Sequence, residues 1–404
     1  MYMLLNERRR ATFSVLLIFI SAAIICWLYT VFTDKYNGDF VGVKQELGVV
    51  VLTISMIGTV LPYIFLFCTY SFFSKRPSLK ATTVKNSTIT NLHFFAMAWF
   101  IFITIKFGAG IMGQPLYEPP PIIGPLIQCL NRINPFYVGV LFILCYKGPR
   151  LIFTTGIVLL ICLGVLRGGL GVFLYVGTSL AIRYYLPLLN FLKKNKISCL
   201  FIAMVIPFVV SILFSYRDEF RGTVSVDSAE YSVFEMLIIR FIGRLSSFSD
   251  SAMVLQSLDY FSGAVKDLDH LYYLKQAFGG IFGVAFIPDV IPERLLVNIF
   301  GGDFFDVSYM TGVSGNFLIA WQIDPFIACF NLLLTMFMCL LTFLCARLFR
   351  FEYPNEYAFL LLLYPITSGV GNEFSSIIIA LIFIWMSIMI LNCIVPSRNF
   401  TGHK

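Results

Sequence analysis

Charged residues are scarce in this 404-residue sequence, and their scarcity excludes several classes of protein. Only 13% of the residues are charged and 58% are apolar, whereas soluble domains average about 25% charged residues. Disordered chains and coiled coils need a higher charge density or a strict repeat, and neither is present. The composition therefore predicts an all-α, polytopic integral membrane protein.

Several other features are missing from the sequence. The ten cysteines all fall in or beside apolar runs, so the longest polar segment, residues 217–312, has no disulfide framework. There is no Walker motif, no H-E-x-x-H and no G-x-S-x-G. Nucleotide hydrolysis, zinc proteolysis and serine-esterase chemistry therefore have no support in the sequence.

Long apolar runs are abundant, and about 20 such residues suffice for one transmembrane helix. We predict about ten spans, an even number that returns the C-terminus to the side of the N-terminus. The first run is too long for a cleavable signal peptide. The predicted spans cover residues 11–32, 47–73, 92–112, 124–146, 151–166, 168–187, 198–216, 313–346, 357–371 and 374–395.

The positions of the basic residues predict the orientation. Sixteen of the 29 Lys and Arg residues fall in the segments that this topology places in the cytoplasm, as the positive-inside rule requires. The net charge of +7 is thereby explained without a nucleic-acid partner. We expect both termini to be cytoplasmic and the protein to lie in a bacterial inner membrane.

Three regions follow from this topology. Residues 1–216 hold the first seven spans, residues 217–312 form a long helical periplasmic loop subdomain, and residues 313–404 hold the last three spans and a cytoplasmic tail. Within the loop, residues 229–261 alternate apolar and polar positions at roughly helical period, which predicts one or two amphipathic helices along the membrane surface. The Gly- and Pro-rich stretch Phe278–Pro292 predicts an irregular path.

Five arginines are candidate ligands for an anionic group such as pyrophosphate. Arg217 with Arg221, and Arg240 with Arg244, have i, i+4 spacing, where like charges on a helix cost roughly 0.2–0.5 kcal/mol unless an anion lies between them. Arginine binds phosphate oxygens bidentately. Arg167 stands before two glycines, which allow a ligand to approach closely.

A structural role is the alternative for two of these arginines: Arg217 would pair with Glu219 or with lipid headgroups, and Arg244 with Asp250. The candidate acids and bases are Asp218, Glu219, Asp227, Glu230, Glu235, Asp250, His270 and Glu373. We rank Asp218, Glu219 and Asp250 first as general bases. The Asp267-x-Asp269 spacing beside His270 is compatible with a divalent cation, but a solvated face explains it better, and we expect no metal.

Four local patterns accompany this layout, and with it they resemble the oligosaccharide repeat-unit polymerases of bacterial surface polysaccharides, the O-antigen polymerase family. The patterns are Arg167-Gly168 after a span, Arg240-x-x-x-Arg244 in the long loop, Phe286-Ile287-Pro288 through Pro292, and Gly312-Val313-Ser314-Gly315-Asn316-Phe317 entering the next span. The chain departs from the family pattern at Asp289, Glu293-Arg294 and Asn316, where relatives often carry basic residues and a glutamate.

The resemblance implies a membrane glycosyltransferase that moves a growing glycan from undecaprenyl pyrophosphate to a second lipid-linked repeat unit at the periplasmic face. It implies inversion at the anomeric carbon, no metal and no cofactor. The expected partners are the lipid-linked donor and acceptor and the bilayer, and a chain-length regulator is a further candidate. An O-antigen ligase, with His270 as its histidine, is the alternative enzyme, and a lipid-linked oligosaccharide flippase or transporter is the non-enzyme alternative.

Overall fold

The computed structural model describes most of the chain, namely residues 2–76, 84–111, 124–167, 169, 171–198, 200–201, 204–205, 208–209, 212, 232–264, 266, 268–282, 286–288, 290–292, 295 and 310–394. Within these residues the protein is helical and has no β-strand; an isolated bridge joins Lys35 to Lys44. The all-α prediction is confirmed for the described chain.

Sixteen α-helices have defined bounds within the described part of the chain. They are α1 (Tyr2–Thr33), α2 (Val49–Ser74), α3 (Asn86–Phe107), α4 (Gly124–Asn131), α5 (Pro135–Cys145), α6 (Arg150–Leu166), α7 (Gly171–Arg183), α8 (Tyr185–Lys194), α9 (Val233–Met236), α10 (Phe248–Gln256), α11 (Leu258–Ala264), α12 (Tyr272–Phe282), α13 (Gly312–Ile323), α14 (Pro325–Leu348), α15 (Pro354–Ser368) and α16 (Gly371–Ile394). A π-helical turn, Leu237–Ile242, continues α9.

Five of the described helices are long and apolar enough to cross a membrane, which makes the chain a multi-pass membrane protein. They are α1 from Asn6, α2, α3, α14 and α16. The pair α7 and α8 passes the same test together but bends by 89°, and α5 and α6 are shorter apolar helices. Ten spans are thus not confirmed; the predicted span at 198–216 lies mostly outside the described residues.

Among the predicted spans that are interrupted in the structure, 313–346 and 124–146 are broken by the same local chemistry. The run 313–346 is divided into α13 and α14 at Asp324, whose side chain accepts a hydrogen bond from Phe326 N at 2.6 Å. The run 124–146 is divided into α4 and α5 at Asn134, which accepts from Phe136 N at 2.9 Å. An Asp or Asn N-cap followed by proline starts a new helix, and hydropathy alone does not register it.

Helix α15 forms the centre of the bundle. Thirteen of its 15 residues are buried, and it packs against α2, α5, α7, α14 and α16. Burial on all sides explains why its sequence shows no amphipathic period, as expected for a helix surrounded by others.

Two ends of the bundle are distinguishable by chemistry. At the basic end, Arg8 near the start of α1 donates to Glu352 O at 2.7 Å, Lys147 contacts Glu352 at 2.6 Å, and Arg347 donates to Arg76 O at 3.3 Å. The opposite end, here called the far end, holds the 34–48 loop and the segment beginning at Ser232.

Helix α10, in the segment that begins at Ser232, is packed inside the bundle. Helix α10 packs against α1, α2 and α13, and Phe248 through Val254 are all buried. Asn37 N hydrogen-bonds to Ser249 Oγ at 3.3 Å, and Ser249 Oγ donates to Asn37 Oδ1 at 2.6 Å. The described residues of the amphipathic stretch are largely helical, and α10 is packed among other helices; its position along the membrane surface stays a prediction.

Candidate functional site

The bend between α15 and α16 gathers polar side chains inside an otherwise apolar bundle. The Ser368 hydroxyl donates to Glu373 Oε2, and the Tyr364 hydroxyl lies within hydrogen-bonding reach of the same carboxylate. Gly369, with φ of 76°, ends α15 and turns the chain. Glu373 occupies the first turn of α16, where a carboxylate is stabilised by the helix dipole.

An arginine of the far-end segment faces this bend. Arg244 is exposed, and its positive charge acts on the Tyr364 hydroxyl, as does the negative charge of Glu373. The charge of Glu373 also reaches Tyr137 and Tyr175. We call these five residues and Ser368 the Glu373 cluster. It combines a carboxylate, a guanidinium and hydroxyl donors around one bend of the chain.

Helix ends meet at this bend as well. Thr311 N, at the start of α13, donates to Ser368 O at 3.3 Å, and Asn316 Nδ2 donates to Gly369 O at 2.7 Å. With 15 residues, α15 covers about 22 Å at 1.5 Å per residue, less than the ~30 Å hydrocarbon core.

Asp250, one of the three ranked bases, lies deeper in protein than Glu373. Its side chain is in the first turn of α10, 5% exposed, and its charge acts on Cys26 and Tyr63. The Tyr63 hydroxyl in turn hydrogen-bonds to Thr367 Oγ1 at 2.7 Å. A general base must reach its proton donor, and the enclosure of this carboxylate counts against that role; the ranking of Asp250 as a base stays a prediction.

Arg167 has contacts on α3. Its Nε donates to Thr104 Oγ1 at 3.1 Å, and the guanidinium lies over the Phe100 ring at 4.9 Å from the centroid. A Cβ on Gly110 would meet the guanidinium carbon at 2.9 Å. The glycine that lies close to Arg167 is Gly110, on the loop after α3. Gly168 is outside the described residues, so the predicted role of Gly168 and Gly169 stays a prediction.

Several predicted residues lie outside the described chain and stay predictions. Arg217, Asp218, Glu219 and Arg221 fall in the undescribed stretch, and the side chain of Arg240 in the π-helical turn is likewise not described. Of the five arginines, the structure describes the side chains of Arg167 and Arg244 only, and the two have different neighbours.

The Asp-x-Asp motif shows no metal-binding geometry in the described part. Asp269 binds Lys275 and accepts from Leu271 N, and the hydrogen bond from Lys275 lowers the pKa of that carboxyl. His270 is exposed, and Asp267 is outside the described residues. No group of three or more His, Cys, Asp or Glu side chains suited to a metal occurs among the described residues.

Sequence reasoning named Glu373 among the acids but did not rank it, and it missed the tyrosines around it. The available signal was a glutamate two residues into an apolar run, directly after the Gly369–Gly371 break. An ionisable residue at such a break is a functional candidate by default. Tyr137, Tyr175 and Tyr364 come from three different helices, and no spacing in the sequence brings them together.

Comparisons with known protein families, with curated proteins and with solved structures found no match. Because a fold alone does not fix a function, the Glu373 cluster carries the functional argument.

Proposed function

We propose that the protein is a membrane glycosyltransferase that joins lipid-pyrophosphate-linked oligosaccharide repeat units, with the Glu373 cluster as its reaction centre. The observation that carries this proposal is the placement of Arg244 and Glu373 around Tyr364. A guanidinium holds a pyrophosphate, and a carboxylate takes a proton from an attacking hydroxyl. Both groups are needed for the same transfer.

The reaction follows from these two roles. The acceptor hydroxyl oxygen bonds to the anomeric carbon of the donor, and the bond from that carbon to the pyrophosphate oxygen breaks. The electron pair leaves with the pyrophosphate, whose growing charge Arg244 stabilises. The hydroxyl proton passes to Glu373. A single displacement of this kind inverts the anomeric configuration.

The position of the cluster suits lipid-linked substrates. Both donor and acceptor carry their sugar on an isoprenoid that stays in the bilayer, so their pyrophosphates lie near the membrane surface. A site at the bend between α15 and α16, beside the exposed Arg244, brings charged groups to that depth. The hydroxyls of Tyr364 and Ser368 orient the Glu373 carboxylate between them.

The proposal is tested by replacing Arg244 in a strain that lacks its own copy of the gene. We expect Arg244→Ala to reduce transfer about 10²-fold, as removal of one charge-stabilising donor does elsewhere, so that single repeat units replace the glycan ladder on a gel. Arg150→Ala is the matched control, because Arg150 is exposed at the other end of the bundle. Normal ladders from Arg244→Ala at normal protein level would refute the assignment.

The same strain distinguishes the alternative activities. Loss of a polymerase leaves single repeat units on the cell surface, loss of a ligase removes all surface attachment, and loss of a flippase keeps repeat units inside. His270, which a ligase would use, lies at an exposed turn beside the Asp269–Lys275 ion pair.

A further inference from the structure

Helices α7 and α8 meet at a sharp bend that neighbouring helices hold in place. Their axes differ by 89°, and only Tyr184 separates them. Arg183, the last residue of α7, donates to the backbone oxygens of Ile143 and Tyr146 at the end of α5. Its guanidinium also lies 4.6 Å from the centroid of the Phe153 ring on α6. The direction in which α8 departs is therefore fixed by contacts of Arg183 with α5 and α6.

Helix α8 begins at the basic end of the bundle. The hydroxyls of Tyr185 and Ser14 hydrogen-bond at 3.2 Å, and Ser14 is about one helical turn after the exposed Arg9 and Arg10 of α1. Helix α1 is one of the five candidate spans, and α7 packs against it. If α7 crosses the membrane beside α1, α8 runs in the plane of the membrane surface, because the bend is close to a right angle.

The side chains of α8 divide into an apolar and a polar face. Leu188 and Leu192, four residues apart, lie on one face, and Asn190 and Lys194 lie on the opposite one. Within the described structure no residue of α8 is buried, and Leu188 and Leu192 are 42% and 44% exposed. The described part of the bundle therefore leaves the apolar face partly uncovered.

The charge around α8 is of one sign. Lys193 and Lys194 end the helix and Lys196 follows it, and all three side chains are exposed. The sequence contains no aspartate or glutamate between Glu118 and Asp218. This part of the chain is therefore complementary to an anionic surface.

An anionic membrane surface matches both features of α8. A helix with leucines on one face and lysines on its polar side lies in the interface, with the apolar face about 5–10 Å into the boundary between headgroups and acyl chains. Lysine side chains extend along apolar surface while their ammonium groups reach the phosphates.

We propose that α8 is an interfacial helix bound to anionic phospholipids of the adjacent leaflet. Leu188 and Leu192 lie among the acyl chains, and the three lysines contact the lipid phosphates. Helix α8 is at the opposite end of the bundle from the Glu373 cluster, so the proposal does not depend on the transferase activity.

The depth of α8 is tested on the full-length protein in nanodiscs of phosphatidylglycerol and phosphatidylcholine. A fluorescent amino acid is introduced by amber suppression at Leu192 or, as the matched position on the opposite face, at Asn190. We expect phospholipids brominated on the upper part of the acyl chain to quench the probe at Leu192 about threefold more than at Asn190, since only the apolar face enters the acyl region. Aqueous iodide should give the reverse order.

Two results of this measurement would overturn the proposal. Equal quenching by brominated lipid at both positions would mean that α8 is immersed in the hydrocarbon core. No quenching by brominated lipid at either position would mean that water or another protein covers the apolar face.

The role of the lysines is tested by energy transfer from the probe at Asn190 to phospholipids labelled on the acyl chain. We expect phosphatidylglycerol to be enriched near α8 about fivefold over phosphatidylcholine, the factor for one lysine near an anionic surface. The triple variant Lys193→Gln/Lys194→Gln/Lys196→Gln should transfer equally to both lipids.

Two controls accompany the triple variant. Lys35→Gln/Lys44→Gln removes two exposed lysines of the far end and should keep the preference. Raising the salt from about 0.1 M to about 1 M shortens the Debye length from about 10 Å to about 3 Å. It should remove the preference with all lysines in place, which keeps the test decisive if the triple variant does not fold. Equal transfer to the two lipids at low salt, or an unchanged preference in a folded triple variant, would refute the lysine contacts.

Discussion

Single residues at the basic end contribute stability that depends on pH. Burial opposes ionisation of Glu352, but the hydrogen bond from Lys147 and the charges of Lys147 and Arg8 outweigh it and lower the pKa of Glu352. The same hydrogen bond raises the pKa of Lys147. Stability from Glu352 is therefore present above its unfolded pKa and is lost as pH falls through the folded value. Stability from Lys147 is lost at alkaline pH.

Glu352→Gln should remove the acid-sensitive part of this stability. The Glu352 side chain is 41% exposed, so we expect a loss of only about 0.2–1 kcal/mol at neutral pH, typical of solvent-screened pairs. The difference from wild type should vanish as pH falls below the folded pKa. Thermal unfolding of the detergent-solubilised protein across that range checks this, with the exposed Asp259→Asn as control. A difference that persists in acid would contradict the ion-pair explanation.

Two glycines on the loop after α3 offer a matched test of Arg167. Gly108 and Gly110 both have positive φ, at 67° and 79°, so alanine strains the backbone similarly at either position. A Cβ at Gly108 meets nothing within 4 Å, whereas one at Gly110 meets the Arg167 guanidinium.

We expect Gly110→Ala to shorten the glycan more than Gly108→Ala, because only the first displaces Arg167 from Thr104. Protein levels of the two variants should be similar, since a flexible side chain can move away from the new methyl group. Ladder length on gels, normalised to protein level, is the measurement. Equal ladders would show that the position of Arg167 does not matter for polymerisation and would remove it from the proposed anion-binding residues.

Among the elements, the junction of α13, α15 and α16 holds the Glu373 cluster in place. Gly369 and Gly312 pack backbone to backbone: a Cβ on Gly369 would lie 2.3 Å from the carbonyl carbon of Gly312. Gly369 also has φ of 76°. The contact with Gly312 cannot be relieved by rotating a side chain, because the Gly312 atoms involved belong to the main chain.

Gly369→Ala should therefore separate α13 from α15 at a cost of about 3 kcal/mol or more, from strain and lost packing together. We expect little folded protein in the membrane. Gly177→Ala in α7 is the control, because its Cβ meets nothing within 4 Å and alanine is favoured in a helix by about 1 kcal/mol. Fluorescence-detected gel filtration compares the two; a monodisperse Gly369→Ala protein would mean that the junction is loose.

The elements also show what the sequence could and could not predict. Long apolar runs located α1, α2, α3 and α16, since burial in lipid demands one unbroken apolar helix. The break inside residues 313–346 escaped, although Asp324-Pro325 signals a helix start. Hydropathy averages over such signals.

The candidate site was predictable only in part. Its residues are far apart in the sequence, and their spacing does not show that the fold brings them together. Arg244 was identified from its i, i+4 partner Arg240. Glu373 joins Arg244 only because α15 and α16 return the chain to the far-end segment. The enclosed position of Asp250 depends on α10 packing between α1 and α2, which the amphipathic pattern did not indicate.

On the scale of the whole molecule, different interactions hold the helices together at the two ends of the bundle. At the basic end, ion pairs and arginine contacts tie α1, α14 and the loop after α5 together. At the far end, the segment from Ser232 is inserted among the helices and contributes Arg244 to the bend. The proposed reaction centre thus lies at the far end, and the ion pairs lie at the opposite end.

The orientation of the two ends in the membrane decides whether the glycan product is formed outside the cytoplasm or inside it. Basic loops are retained in the cytoplasm. Lys193 and Lys194 end α8 and Lys196 follows it, at the basic end, where Tyr185 contacts Ser14 of α1. The 34–48 loop carries only Lys35 and Lys44 as basic residues. We expect alkaline phosphatase to be active when fused after Glu46 and inactive when fused after Asn195. The reverse pattern would place the Glu373 cluster on the cytoplasmic side, where a polymerase of exported repeat units has no substrate.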